Sequence, residues 1–223
     1  MLIGEMVQRV SPAKGSRVLD IGYFTGFSTA WLMIATEAEL IYAIDVKKEY
    51  APSMKDLLRT VNPDAKVVAT QASASWLPYQ DNVFDTVFCR SVLQYVDMQK
   101  TIAEIRRVLK PQGKCYIIAN MADNLFVRLY RKFVGSKRFI PFGSFHGYVS
   151  YRMLNKWMRE GWCVSHKEFH VFTPLLFPII DCLPLSSAKR AIYIIGTIAD
   201  AFLGAAFPFL YRFAWLGFIE IRK

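Results

Sequence analysis

The first half of the chain alternates short apolar runs with helical stretches, and this alternation restricts the fold more than any other feature. Arg17–Ile21 is apolar and ends at Gly22, so it reads as a strand; Phe27–Ile34 reads as a helix, Leu40–Asp45 as a strand and Tyr50–Val61 as a helix. Ala65–Ala69 and Phe84–Arg90 are further strands, Met98–Leu109 is a helix, Pro111-Gln112-Gly113 forms a turn, and Lys114–Ala119 is a strand. Alternation of this kind implies parallel strands joined by crossover helices on both faces. Such sheets bind ligands at the carboxyl ends of their strands, where strand order reverses.

The second half has another character. Ala122–Val134 reads as an amphipathic helix, with Leu125, Phe126, Leu129, Tyr130 and Phe133 on one face and Arg128, Arg131 and Lys132 away from it. Tyr151–Glu160 is a helix, Cys163–Phe172 a strand and Leu216–Arg222 a final strand. Between the last two, Pro174, Pro178 and Pro184 break an apolar stretch into short pieces, and Ala191–Tyr211 is a long apolar run. The expectation is an α/β chain, one domain over 1–223, whose seven-stranded, mostly parallel sheet carries helices on both faces. An apolar insertion at about 173–215 precedes the last strand. Ala191–Tyr211 is long enough to raise a spanning helix, but Asp200 in its middle costs about 2.5–3.5 kcal/mol at a bilayer centre and Pro208 interrupts its end. A lid over an apolar pocket or a one-sided membrane contact is favoured instead.

Hydrophobic residues make up 53% of the 223, so a large core is available and some apolar surface is left over. The formal net charge of +10 favours acidic partners, and no Asp or Glu occurs from Asn124 to Arg159. Arg128, Arg131 and Lys132 therefore nominate an anionic membrane surface, with an ordinary core-packing helix as the competing reading. Nucleic acid is disfavoured because no recognisable motif accompanies the basic residues. Cys89, Cys115, Cys163 and Cys182 show neither CxxC spacing nor a nearby histidine pattern, which argues against zinc and for buried, reduced thiols in a cytoplasmic protein. No secretory leader pattern is visible at the N-terminus.

Val18-Leu19-Asp20-Ile21-Gly22-Tyr23-Phe24-Thr25-Gly26 carries the chemistry. An apolar strand delivers an acid and then glycines into a tight turn before a helix. Glycine tolerates backbone angles and close approaches that side chains forbid, and backbone N–H groups at a helix start suit an anionic group. The next strand ends in Asp45, placed to accept both hydroxyls of a ribose. On these residues alone a dinucleotide site is equally served.

Later motifs narrow the choice. Leu77-Pro78-Tyr79-Gln80-Asp81-Asn82-Val83-Phe84-Asp85, Arg90-Ser91-Val92-Leu93-Gln94-Tyr95-Val96 and Glu104-Ile105-Arg106-Arg107-Val108-Leu109-Lys110-Pro111-Gln112-Gly113 follow the loop in order. With it they resemble the class I S-adenosylmethionine-dependent methyltransferases, in particular the small-molecule branch, closely over Gly15–Asn120 and loosely over Tyr148–Val171. The resemblance implies a Rossmann-like fold, S-adenosylmethionine as cofactor and a small or lipid-linked acceptor. It implies that Asp20, Gly22 and Gly26, with Tyr23 and Thr25 in the same loop, shape the methionine end of the pocket. Asp45 would hold the ribose, Val46 pack on the adenine, Ser73 and Ala74 flank the adenine amino group, and Arg90 and Ser91 line the end of the fourth strand. Tyr95, and His146 as a base near neutral pH, are the candidates for handling the acceptor. Asp85 reads as structural. Two positions depart from the family: its second loop glycine is Phe24 here, and its adenine-side acid is Ser73. A fold that keeps binding or scaffolding without methyl transfer is the alternative that these departures leave open.

Overall fold

The computed structural model describes Val10 and residues 15–36, 40–64, 66–124, 129, 147–169, 173–176 and 186–223. Its strands are β1 (Val18–Ile21), β2 (Leu40–Asp45), β3 (Lys66–Gln71), β4 (Phe84–Arg90), β5 (Leu109–Asn120), β6 (Cys163–Phe169) and β7 (Leu216–Arg222). They form one sheet in the order β3-β2-β1-β4-β5-β7-β6. β1 pairs in parallel with β2 and β4, β2 with β3, and β4 with β5, whereas β7 runs antiparallel to both β5 and β6. The helices are α1 (Phe27–Thr36), α2 (Ala51–Val61), α3 (Met98–Val108), α4 (Tyr151–Arg159) and α5 (Ser186–Ala206). The sheet is thus Rossmann-like and mostly parallel, with order reversing between β1 and β4.

Side chains alternate across the pleat and sort into two cores. Leu19, Val87, Cys89, Ile117 and Ile219 face one layer with Ile102 and Ile105 of α3 and Leu154 and Trp157 of α4. Val18, Phe88, Ile118 and Phe218, their neighbours in sequence, face the other layer with Leu32 and Met33 of α1 and Met54 and Leu58 of α2. The helix ends are specified locally. Asp97 caps α3 by accepting the Lys100 N–H (3.1 Å), and Ser150 caps α4 by accepting that of Met153 (3.4 Å). Met98, Thr101, Ile102, Ile105 and Val108 then fall on the buried stripe of α3.

Three expectations are corrected. Pro111-Gln112-Gly113 does not separate helix from strand: α3 passes directly into β5, and the register slips so that Lys110–Gly113 stand opposite Asp85. Gln112 absorbs the irregularity with φ of 63°. No helix starts at Ala122; Met121 bridges Val149, and the Ala122 N–H donates to the Val149 carbonyl (2.7 Å). Of the remainder of that expected helix, Leu129 is helical and 44% exposed, while Arg128, Arg131 and Lys132 lie outside the described residues. The apolar run forms a helix that begins at Ser186, before Ala191, and gives way to a 3-10 turn at Pro208–Phe213. No described helix is long and apolar enough to cross a membrane. Cys89 and Cys115 are buried free thiols, with burial pushing Cys89 up to about 12, whereas Cys163 is free but exposed. Cys182 lies outside the described residues.

Candidate functional site

A cavity of about 790 Å³ opens at the carboxyl ends of β1, β2 and β4. That is the point of order reversal, and the volume falls within the range of about 300–1,000 Å³ usual for small-molecule and cofactor pockets. Of the residues named from sequence, Gly22, Tyr23, Thr25, Asp45, Val46, Ser73, Ala74, Arg90, Ser91 and Tyr95 line it. Asp20 and Gly26 stand behind the wall, and His146 lies outside the described residues. Among the described residues, none from 173–215 lines the cavity.

The β1–α1 loop is held open by backbone geometry. Gly22 and Gly26 have φ of 82° and 90°, and the Gly22 N–H donates to the Ile44 carbonyl (2.8 Å), tying the loop to β2. A Cβ on Gly22 would collide with Val92, and one on Gly26 would sit 2.9 Å from the Met54 Cα, so glycine is needed for close packing at both places.

The two aromatic residues of the loop go separate ways. Tyr23 is only 2% exposed and turns its ring into the α1–α2 core. Phe24 keeps the left-handed backbone of a glycine, with φ of 46°, and leans its ring edge-on against Tyr50 at 4.5 Å. Neither aromatic ring therefore forces the loop out of shape. Phe24→Gly is expected to shift the melting temperature by no more than a few degrees in calorimetry. Relief of about 1–2 kcal/mol of left-handed strain is opposed by loss of a ring contact worth about 0.5–1.5 kcal/mol.

Asp45 ends β2 with both carboxylate oxygens engaged by the backbone: Oδ2 accepts the Phe24 N–H and Oδ1 that of Lys47, each at 3.0 Å. The clamp fixes the carboxylate and joins it to the loop, and each oxygen retains a lone pair for a ligand hydroxyl. Asp20 is fully buried; its Oδ2 accepts from Ser28 Oγ (3.0 Å) and Thr29 Oγ1 (2.6 Å), while Oδ1 has no partner among the described residues. Burial raises its pKa to about 6 against the pull of those hydroxyls and of Arg90. Arg90, at the end of β4, stacks on the Phe27 ring at 5.3 Å and faces the cavity. Ser73 is exposed, and its hydroxyl accepts the Ser75 N–H (3.2 Å). Gln94, named beside Tyr95 in the same motif, is buried.

Sequence reasoning missed Lys47 and Tyr50, which line the cavity just after Asp45, with the Lys47 ammonium 5.7 Å from the Tyr50 ring centre. The available signal was their position directly after Asp45, before a proline-started helix. The remaining motifs prove to be braces. Arg107 binds Glu104 (2.8 Å), Asp81 (2.9 Å) and the Tyr79 carbonyl (2.6 Å), strapping the segment after the cavity wall onto α3. Asp85 accepts from Lys110 through both oxygens (2.8 Å each) and from the Arg17 N–H (3.0 Å). Burial pushes the Asp85 pKa up, but the Lys110 and Arg17 contacts prevail and hold it below its usual value.

Strand order and cavity position place the chain among Rossmann-like α/β proteins. Residues 19–117 match a family model described as a methyltransferase domain. An uncharacterised methyltransferase of Mycobacterium tuberculosis is 34% identical over 120 residues, covering 53% of this chain and 46% of that protein. The ubiquinone/menaquinone biosynthesis C-methyltransferase of Haemophilus ducreyi is 33% identical over 107 residues, 47% of this chain and 41% of the relative. In these matches the aligned segment spans about half or less of the relative's length. An S-adenosylmethionine-dependent methyltransferase from Mesorhizobium loti superposes with a TM-score of 0.62 at 15% identity, covering 100% of this chain and 96% of that one. Geranyl diphosphate C-methyltransferase from Streptomyces coelicolor, solved with S-adenosylhomocysteine, gives 0.65 at 13% identity, over 99% and 78% of the two chains. These similarities support the class I S-adenosylmethionine-dependent methyltransferase family as the one that residues 19–117 resemble.

Proposed function

We propose that the chain binds S-adenosylmethionine in the cavity at the ends of β1, β2 and β4 and transfers its methyl group to a small or lipid-linked acceptor, acting in the cytoplasm. The observation that carries this reading is the Asp45 carboxylate, fixed by two backbone N–H groups at the cavity wall with lone pairs left to accept ribose hydroxyls. The loop from Gly22 to Thr25 would cradle the methionine end, Val46, Ser73 and Ala74 the adenine, and Arg90 and Ser91 the middle.

Bound there, the cofactor supplies an electrophilic sulfonium methyl. What this chain has to add is alignment: holding two reactants in line can supply about 7–11 kcal/mol of barrier reduction without a strong acid or base. Tyr95, which lines the cavity in the turn after β4, would contact the acceptor; His146 remains the proposed base for an acceptor that starts protonated. Phe24 in a glycine-like conformation favours a working loop over a purely scaffolding role.

Titration calorimetry with S-adenosylmethionine and S-adenosylhomocysteine tests the proposal. Micromolar binding of both is expected; no heat from either at millimolar concentration would overturn it.

A further inference from the structure

Helix α5 is built inside out. Gly196, Asp200 and Gly204, spaced four apart, are its buried side. A Cβ on Gly196 would come within 2.8 Å of Leu176, and Gly204 lies against the Tyr211 ring. The Asp200 carboxylate accepts the Thr173 N–H (2.9 Å) and the Thr173 hydroxyl. Small residues and a polar anchor thus hold the helix to the chain, and its large apolar side chains are turned outward. Ile194, Ile195, Ile198 and Phe202 are 49%, 63%, 59% and 74% exposed, and Phe207 and Phe209, just past the end of the helix, are 49% and 65% exposed. A core helix has the reverse arrangement, and a continuous apolar surface of this kind marks a binding face.

We propose that this stripe docks the chain on an anionic lipid bilayer, with α5 lying in the plane of the interface. Charge selects the occupant. The outward stripe contains no acid, because the only carboxylate between Ala191 and Phe213 is Asp200, on the inner side. The sequence places Lys189 and Arg190 in the opening turns of α5 and Arg212 beyond Phe209. The start of α4 joins the same region: the Tyr151 hydroxyl donates to the Tyr211 carbonyl (3.2 Å), and the next residue, Arg152, is exposed with no ion pair among the described residues. An acid-free apolar stripe, with the exposed Arg152 in the same region of a chain carrying +10, fits anionic headgroups over acyl chains, whereas a second copy of so basic a chain would be repelled. The stripe is separate from the cavity, so the proposal holds for either class of acceptor.

Flotation of the full chain with phosphatidylcholine–phosphatidylglycerol vesicles tests it, with pure phosphatidylcholine vesicles as reference. The chain is expected to float with the mixed vesicles at low salt, and Ile198→Glu combined with Phe202→Glu to lower the bound fraction at least about tenfold. Both substitutions fall on exposed positions, so the thermal shift with S-adenosylmethionine should match that of the unaltered chain. Phe202→Trp supplies a gentler readout, in which vesicles with brominated acyl chains quench the added fluorescence. The proposal is overturned if the unaltered chain stays unbound at low salt, if the double variant floats equally well, or if the added tryptophan is not quenched. A dimer that the double variant dissociates, in a chain that ignores vesicles, would assign the stripe to self-association instead.

Discussion

Asp45→Ala is expected to weaken S-adenosylmethionine binding by about 100-fold or more, with a much smaller effect on folding. The carboxylate is half-buried, and two backbone N–H groups aim it before any ligand arrives. Hydrogen bonds to a charged acceptor contribute about 1.5–3 kcal/mol each, so losing two ribose contacts accounts for the size of the effect. A general loosening of the loop would weaken all ligands alike, and a cofactor analogue lacking the ribose hydroxyls separates the two causes. If Asp45 contacts the ribose, the unaltered chain and the variant bind that analogue with similar, weak affinity. An equal further loss with the analogue would show that Asp45 serves only the loop. Calorimetry on the four combinations completes the cycle.

Asp20→Asn is expected to stabilise the protein by as much as about 3 kcal/mol at pH 8 and to give little difference near pH 4. Burial lifts Asp20 from the ordinary 3.8 to about 6, so the folded chain holds this proton more tightly than the unfolded chain does. The stabilisation from protonation is fully present below about pH 4 and is lost as pH rises through about 6; a tenfold difference in proton affinity corresponds to about 1.36 kcal/mol. Above that window the native carboxylate is a buried charge with one oxygen unpartnered among the described residues. Asparagine cannot ionise, so the stability gap should open between about pH 4 and 6 and level off by about pH 7. Urea melts across this range measure it. A gap of constant size at every pH would rule out the ionisation of Asp20 as its source.

The parts of the fold that were legible in the sequence are those where one periodicity governs. Phe84–Arg90 and Leu216–Arg222 are strands with the expected bounds, since successive residues of Val87–Cys89, and likewise Phe218 and Ile219, enter opposite cores. The misreadings occur where long-range pairing overrides local preference. Pro111-Gln112-Gly113 has the composition of a turn, yet β4 and β7 provide pairing on both sides of β5 and the break is absorbed as a slip in register. The cavity wall was readable from Gly22, Asp45 and Ser91 because spacing along a parallel sheet dictates where strand ends meet. The fate of Tyr23 and Phe24 was not, because the same two letters serve a ring in the core and a ring on Tyr50; only the backbone angles decide between them. Likewise, the run Ala191–Tyr211 discloses apolarity but not which side faces the chain. That follows from Thr173 meeting Asp200, a pairing 27 residues apart.

The position of β7 has a consequence for how the chain is made. Among the described residues β6 pairs in the sheet only with β7, which lies roughly fifty residues further along the chain. At synthesis rates of about 5–20 residues per second, the backbone groups of β6 wait several seconds for their pairing partner while α5 and its outward isoleucines emerge. β1 to β5 can pair among themselves during that interval, so the pocket half of the sheet can precede the other half. The nascent chain therefore passes through a stage with an open strand edge and an uncovered apolar helix, and a bilayer or a chaperone near the ribosome would meet it there first.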